Sequence, residues 1–455
     1  MNLAKDFCGL LDAWSPRSEE IDPRCQALIL DGLAVMMAGT VEPSPTILAT
    51  QAQEDGGAPL ATVAGFNFAT APAAAARVNA AAMHVLDFEP MWSPPNHAIS
   101  TILPALIALA ELREVQGAPP QGRMLFDALA KGIEAQGRLR LASKQIEPRQ
   151  LTLHPPGIVG PLAAAVACAA LLELGAEGMS SAIGIAASRT GGVLANVGSM
   201  TKALHCGDAA AHGLEAALLA QKGFSCGSAP FDGPHGYFQS YFREDFDPEP
   251  LFAPISPSRI VSPGPSWKLF PSQFATHFAI SAAIALHRKV ADPITIESVT
   301  LRVPSMPYID RPAPTSGLDG KFSWQYTAAV ALLDGYVGIE SFSQRRWASP
   351  DLRNLLQRIR VVPDRSISGR FDEMYVDVTV ISADGSTHSE TCVSPLGSWS
   401  NPAEPSVINA KAQSLLKQAA SPGAGDTVES LLRRDAGCFS VRELMEPLRG
   451  RASPP

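Results

Sequence analysis

The chain has 455 residues, 46% of them hydrophobic and 18% charged, with a net charge of −8 and no long basic run. Typical soluble domains carry roughly 25% charged residues, so this composition implies a large interior. It excludes a disordered chain and offers no basic face for nucleic acid. No uninterrupted apolar run reaches the ~18 residues needed to span a bilayer, so no membrane partner is expected.

The opening stretch MNLAKDFCGLLDAWSPRSEE lacks the sustained apolar core of a signal peptide. The seven cysteines (Cys8, Cys25, Cys168, Cys206, Cys226, Cys392 and Cys438) include no C-x-x-C pair. That pattern argues against a disulfide framework and a zinc ribbon alike, and places the chain in a reducing compartment, the cytoplasm.

From about residue 22 to 290 the chain reads as apolar segments of helical length: 25–39, 72–88, 99–113, 157–174, 207–223 and 274–289. Many are rich in Ala and Gly with few charges on any face, the pattern of helices buried inside a bundle. Beyond Pro293 the pattern changes. The stretches 295–304, 371–382 and 384–394 carry β-branched residues in partial alternation, with Asp384-Gly385 marking a hairpin turn. Helical stretches at 322–335 and 349–360 lie between them, and helical text returns after Pro402 before a frayed tail, 451–455. The expected architecture is a discontinuous all-α domain (1–268 and 399–455) with a smaller α+β lid (269–398).

Two apparent motifs are coincidences. Gly223–Gly227 matches G-x-S-x-G, but a helix precedes it and a Pro/Gly-rich loop follows, where a strand and then a helix are required. Ser199–Lys202 matches S-x-x-K without the S-D-N and K-T-G companions of that serine chemistry. There is no H-E-x-x-H, Walker loop or strand-borne G-x-G-x-x-G, so metal, nucleoside triphosphate and dinucleotide cofactors lose their best support.

What remains is a set of polar interruptions between helices: His84 to His97, Leu153-His154-Pro155-Pro156-Gly157, Gly198 to Gly207, Trp267 to His277, and Lys321 to Tyr326. His97, His154, Lys202 and His277 fall just before or at helix starts, where the backbone favours anions. Imidazoles and an ammonium there would make a pocket for carboxylates, and the imidazoles can move protons near neutrality. Each histidine alone reads more readily as a helix cap than as a catalyst, and Asp87 equally well as a cap or ion-pair partner or as a catalytic base. His84, His212 and His287 read as structural positions on helix faces, and His235 and His388 as surface residues.

Taken in order, these segments resemble the MmgE/PrpD family. The carrying features are ILDGLAVMMAG (29–39), N-x-x-x-x-H-x-L-D-F (79–88), HPPG (154–157), TKALHCGDAA (201–210), KLFPSQFATH (268–277) and RPAPTSGLDGKFSWQY (311–326). The resemblance implies a helical domain and an α+β lid with the active site in the cleft between them, usually as a homodimer. It places Asp87, His97, His154, Lys202, His277 and Tyr326 on active-site positions, with Met91, Lys268 and Ser272 against the substrate and no cofactor or metal.

The implied activity is a cofactor-free lyase, decarboxylase or dehydratase, acting on a small di- or tricarboxylic acid such as cis-aconitate or 2-methylcitrate. The HPP run and the TKALH context lie closer to the cis-aconitate decarboxylase type. In that scheme His97 transfers the proton, Asp87 orients an imidazole, Lys202 with His277 or His154 holds carboxylates, and Tyr326 closes from the lid. An epimerase on the same site and a non-catalytic acid-binding protein are the alternatives. Met91 stands where many members carry a threonine, exchanging a hydroxyl donor for a thioether and favouring a smaller or less polar acid.

Overall fold

The computed structural model describes residues 2–147, 150–434 and 439–450; Cys438 and the 451–455 tail lie outside them. The helical body comprises α1 (Leu3–Ala13), α2 (Ile21–Gly39), α3 (Pro43–Asp55), α4 (Pro72–Val85), α5 (Ala98–Val115), α6 (Gly122–Ala142), α7 (Pro155–Leu171), α8 (Gly175–Ala187) and α9 (Met200–Gln221). Helices α4, α5, α7 and α9 pack on one another at its centre. Small residues allow this closeness: a Cβ on Gly213 of α9 would lie 2.4 Å from the Ala164 Cβ of α7. No single described helix is long and apolar enough to cross a membrane, and the mostly apolar α5 and α7 are buried in this body.

A short hairpin, β1 (Ala61–Val63) and β2 (Phe68–Thr70), borders the body. The second unit begins with α10 (Thr276–His287) and β3 (Ile296–Pro304), followed by α11 (Trp324–Asp334), β4 (Ile359–Asp364), β5 (Val376–Ser382) and β6 (Thr387–Cys392). Its sheet runs β4-β3-β5-β6, with β3 parallel to β4 and antiparallel to β5. Val376, Val378 and Val380 of β5 turn to one face and are buried, the period-2 pattern of a strand with one face covered. Helices α10 and α11 cover that face.

The expectation of helix through residue 360 fails at its end. The helix stops at Leu356, and β4 follows, pairing in parallel with β3 through Val299↔Ile359. Ile359, Val361 and Val362 are β-branched, and an available edge of β3 outweighs helical continuation. The hairpin at 61–70 and β4 are strands that the sequence reading did not identify. The chain then returns to the body, where α12 (Pro405–Ala419) packs on α2.

Two hydrophobic cores result. One holds the body helices and resumes at Ala412; the other spans Phe274 to Val380 and takes in Met91 and Val197 from the body. Those two residues mark the join between the units. Gly157 in the HPPG turn is equally tight, since a Cβ there would lie 1.9 Å from the Gly191 carbonyl oxygen. Gly157→Ala should therefore destabilise the protein by about 3 kcal/mol in urea unfolding, backbone having nowhere to yield. Unchanged stability would contradict this packing.

Candidate functional site

At the end of α4 the chain turns sharply, and Asp87 takes a left-handed conformation (φ 51°) that aspartate tolerates better than most residues. The turn points its carboxylate inward, where the residue is 1% exposed. Two ammonium groups meet it. Lys268 bonds Asp87 Oδ1 and also donates to the Asp87 carbonyl (3.0 Å) and the Ser272 carbonyl (3.1 Å). Lys202, on the first turn of α9, lies 3.4 Å from Asp87 Oδ2. Burial alone would raise the Asp87 pKa, but Lys202 and Lys268 outweigh it and hold the carboxyl well below its usual range.

The imidazoles form a second layer. His97 and His154 occupy the N-cap positions of α5 and α7, yet neither side chain caps its helix. His97 Nδ1 lies 3.0 Å from Glu89 Oε1, and His84 bonds the same oxygen through Nδ1. Lys202 Nζ lies 2.7 Å from His84 Nε2, an ammonium donating to a neutral ring. The ring of His154 is 5.6 Å from that of His84 and 6.5 Å from that of His97. Burial, followed by the charge of Lys202, pushes His84 down to about 4 and holds His154 well below the imidazole range. Burial lowers His97 too, with Glu89 opposing the shift. With all three lowered, these imidazoles are neutral at pH 7.

Asp87, Met91, His97, His154, Lys202 and Lys268 all line one cavity at the join of the two units, about 550 Å³ with its mouth included. Its far wall is largely apolar, with Val197, Phe274, Phe322 and Phe371. Lys202 also sits 5.2 Å from the centre of the Phe322 ring. Arg311, from the RPAP run, donates to the Val197 carbonyl at 2.8 Å and bonds Asp319, tying the second unit to the body beside the cavity.

Three expected site residues lie elsewhere. His277 is fully buried behind the cavity between Phe270 and Phe274 (5.2 and 5.3 Å between ring centres). Burial and then Lys268 push its pKa down to about 3. The Tyr326 hydroxyl donates to the Ser341 carbonyl (2.8 Å), and the ring stacks on Phe342 inside the second core. Ser272 meets Thr276 Oγ1 through its hydroxyl (2.9 Å) and orients Lys268 through its carbonyl. The helix start at α10 is real, but the His277 ring packs against Phe270 and Phe274, outside the cavity lining.

Four residues gain roles that the sequence reading did not give them. Gln273 and Tyr308 line the cavity from the second unit, with Gln273 Nε2 donating to the Tyr308 hydroxyl at 2.8 Å. Glu89, and not Asp87, is the carboxylate nearest His97, since Asp87 Oδ1 is 3.8 Å from His97 Nε2. His84, on α4, is the hub between Glu89 and Lys202, a set of partners that its place on a helix face did not show. Gln273 stood within the KLFPSQ run and His84 within the Asp87 motif, so a signal existed for both; Tyr308 had none. One potential ligand atom from each of His84, Glu89 and His97 lies within 4.8 Å of the others, a spacing that could admit a metal ion. The adjacent Lys202 ammonium opposes a second cation there.

Residues 13–249 match the MmgE/PrpD N-terminal domain and residues 270–432 the MmgE/PrpD C-terminal domain. The chain is 33% identical over 381 residues to the cis-aconitate decarboxylase of Mus musculus, covering 80% of this chain and 75% of that protein. It is 32% identical over 372 residues to that of Homo sapiens, covering 80% and 76%. With the enzyme of Aspergillus terreus (strain NIH 2624 / FGSC A1156) the identity is 28% over 407 residues, covering 82% and 81%.

Because Lys268 and Asp87 are buried together, Lys268→Met should cost about 3–5 kcal/mol in urea unfolding, toward the lower end while Lys202 remains. Adding Asp87→Asn should recover part of that loss. A neutral Lys268→Met would show that the pair does not hold the site together.

Proposed function

The chain belongs to the MmgE/PrpD family, and from that premise we propose that it is a lyase cleaving a bond beside a carboxylate in a small di- or tricarboxylic acid. Decarboxylation of cis-aconitate is the reaction to test first. The observation that carries this reading is the convergence of Lys202, Lys268, His97 and His154 on one partly apolar cavity between two units.

The charges explain how such a site would work. Asp87 and Glu89 carry two negative charges against the two ammoniums, and the imidazoles are neutral. A polycarboxylate entering this balanced set brings uncompensated negative charge, which raises the pKa of each nearby imidazole. One ring then takes up a proton, and the entering acid thereby generates the general acid it needs.

When the C–CO2 bond breaks, the electron pair left on carbon spreads onto the remaining conjugated carboxylate. Lys202 and Lys268 stabilise that enolate-like charge at fixed positions that need no reorganisation. His97 or His154 returns the proton to carbon, and the Tyr308 hydroxyl supplies a further donor to the substrate. Phe322, Phe274 and Phe371 limit water at the reacting carbon. Every step uses side chains of this chain, so the reading assigns no cofactor.

NMR of the protein with carboxyl-labelled cis-aconitate should show loss of CO2 and growth of the decarboxylated diacid. Lys202→Met should lower kcat/KM by about 10²–10³-fold with folding retained. kcat/KM should fall as pH rises from about 6 to about 8, because the ring must acquire a proton to act. Deuterium incorporation without CO2 or alkene formation would move the chain to the isomerase class. No change in any acid would overturn the lyase reading.

A further inference from the structure

Behind His154 stands an imidazole that the reaction scheme above leaves unused. His205 lies on α9, one turn beyond Lys202, and its Nδ1 is 3.2 Å from Nδ1 of His154. The two ring centres are 5.2 Å apart. His154 lines the cavity, whereas His205 is outside its lining and keeps 9% of its surface exposed. The pair therefore links a cavity-lining ring to one outside the lining through a single hydrogen bond.

The geometry restricts where the protons are. Two neutral rings bonded through their Nδ1 atoms share one proton there, so one ring is the Nδ1–H tautomer and the other the Nε2–H tautomer. Moving the shared proton exchanges the two when His154 gains a proton at Nε2 and His205 loses one there. With Nδ1 occupied by His205, Nε2 is the nitrogen of His154 left for the cavity. It is a base in one arrangement and an N–H donor in the other.

We propose that His205 is a positioning and relay residue that sets the acid or base state of His154 and exchanges its proton with solvent. In one direction, a proton from the reacting acid bonds to His154 Nε2 as the His154 Nδ1 proton passes to His205 Nδ1. His205 then releases its Nε2 proton to water, leaving both rings neutral with tautomers exchanged. The reverse sequence delivers a proton from water to the cavity. Each ring gains one N–H bond and loses one, so neither ends with a charge.

The surroundings favour this over a lasting charge on either ring. Lys202 faces both imidazoles, and burial opposes protonation of each. Asp208, one turn further along α9, faces His205 and pulls the other way, but it is shared with Arg77 of α4 at 2.8 Å. Gly192 packs against the pair: its carbonyl accepts from the His154 backbone (2.9 Å), and a Cβ there would lie 3.3 Å from His205 Nδ1.

The test uses the full chain, wild type and with His205→Gln or His205→Ala. Nitrogen-15 NMR of the imidazoles should show His154 and His205 as opposite tautomers, with a protected Nδ1 proton that is lost in both variants. Finding both rings as the same neutral tautomer overturns the proposal. This readout needs no turnover, so it stands apart from the decarboxylase reading on which the relay's role rests.

With cis-aconitate as substrate, both variants should lower kcat by about tenfold or more at little changed KM, with added imidazole restoring part of the rate to His205→Ala. Glutamine preserves a hydrogen-bonding partner but cannot pass a proton. Full activity in His205→Gln would mean that the role is only structural, and would overturn the relay. If the wild type itself leaves cis-aconitate unchanged, that reading fails and the tautomers alone decide.

Discussion

A carboxylate shut away from water dictates what surrounds it. Asp87 is buried at a turn that projects it into the body of the protein, and an isolated charge there would be prohibitively unfavourable. Lys202 and Lys268 resolve this from opposite parts of the chain, one on α9 and one on the segment leading into the second unit. Their pairing with Asp87 fixes the junction of the units and places two cations at the cavity wall. The same lysines that line the cavity are the ones that hold the junction together. The second core reaches across this junction through Met91 and Val197, so packing and charge act on the same seam.

A second consequence follows from balancing those charges. Two carboxylates and two ammoniums leave no surplus to hold an anion outright, so the neutral imidazoles become the variable element. Burial keeps His84, His97 and His154 below their ordinary range until a carboxylate arrives. Affinity and acid catalysis are thus coupled through the same rings. Glu89 holds His97 and His84 while Asp87 is committed to the lysines, a division of labour between two carboxylates two residues apart.

Much of this was legible in the amino-acid sequence because it depends on local rules. Apolar helices without a polar face announced the body, and β-branched alternation announced β3 and β5. The turn residues around His84–His97, the HPPG junction and the first turn of α9 announced His97, His154 and Lys202, all of which reach the cavity. What local rules do not contain is rotation about a helix axis and the partner across a domain boundary. His277 begins α10 as expected but faces Phe270 and Phe274, and Tyr326 is absorbed into the second core. Tyr308 and Gln273 reach the cavity only because the second unit docks where it does. Strand β4 formed because β3 offered an edge, which no reading of residues 349–360 in isolation could supply.

The central claim is that a neutral, charge-balanced site draws in protons together with its acid. Titration calorimetry of the protein with a small dicarboxylate, in buffers of different ionisation enthalpy near neutral pH, measures that directly. The account requires net proton uptake on binding, reduced when His97 and His154 are both replaced by glutamine. Binding with no proton uptake, or with proton release, would mean that the imidazoles are already charged and that the electrostatic balance around Asp87 is misassigned.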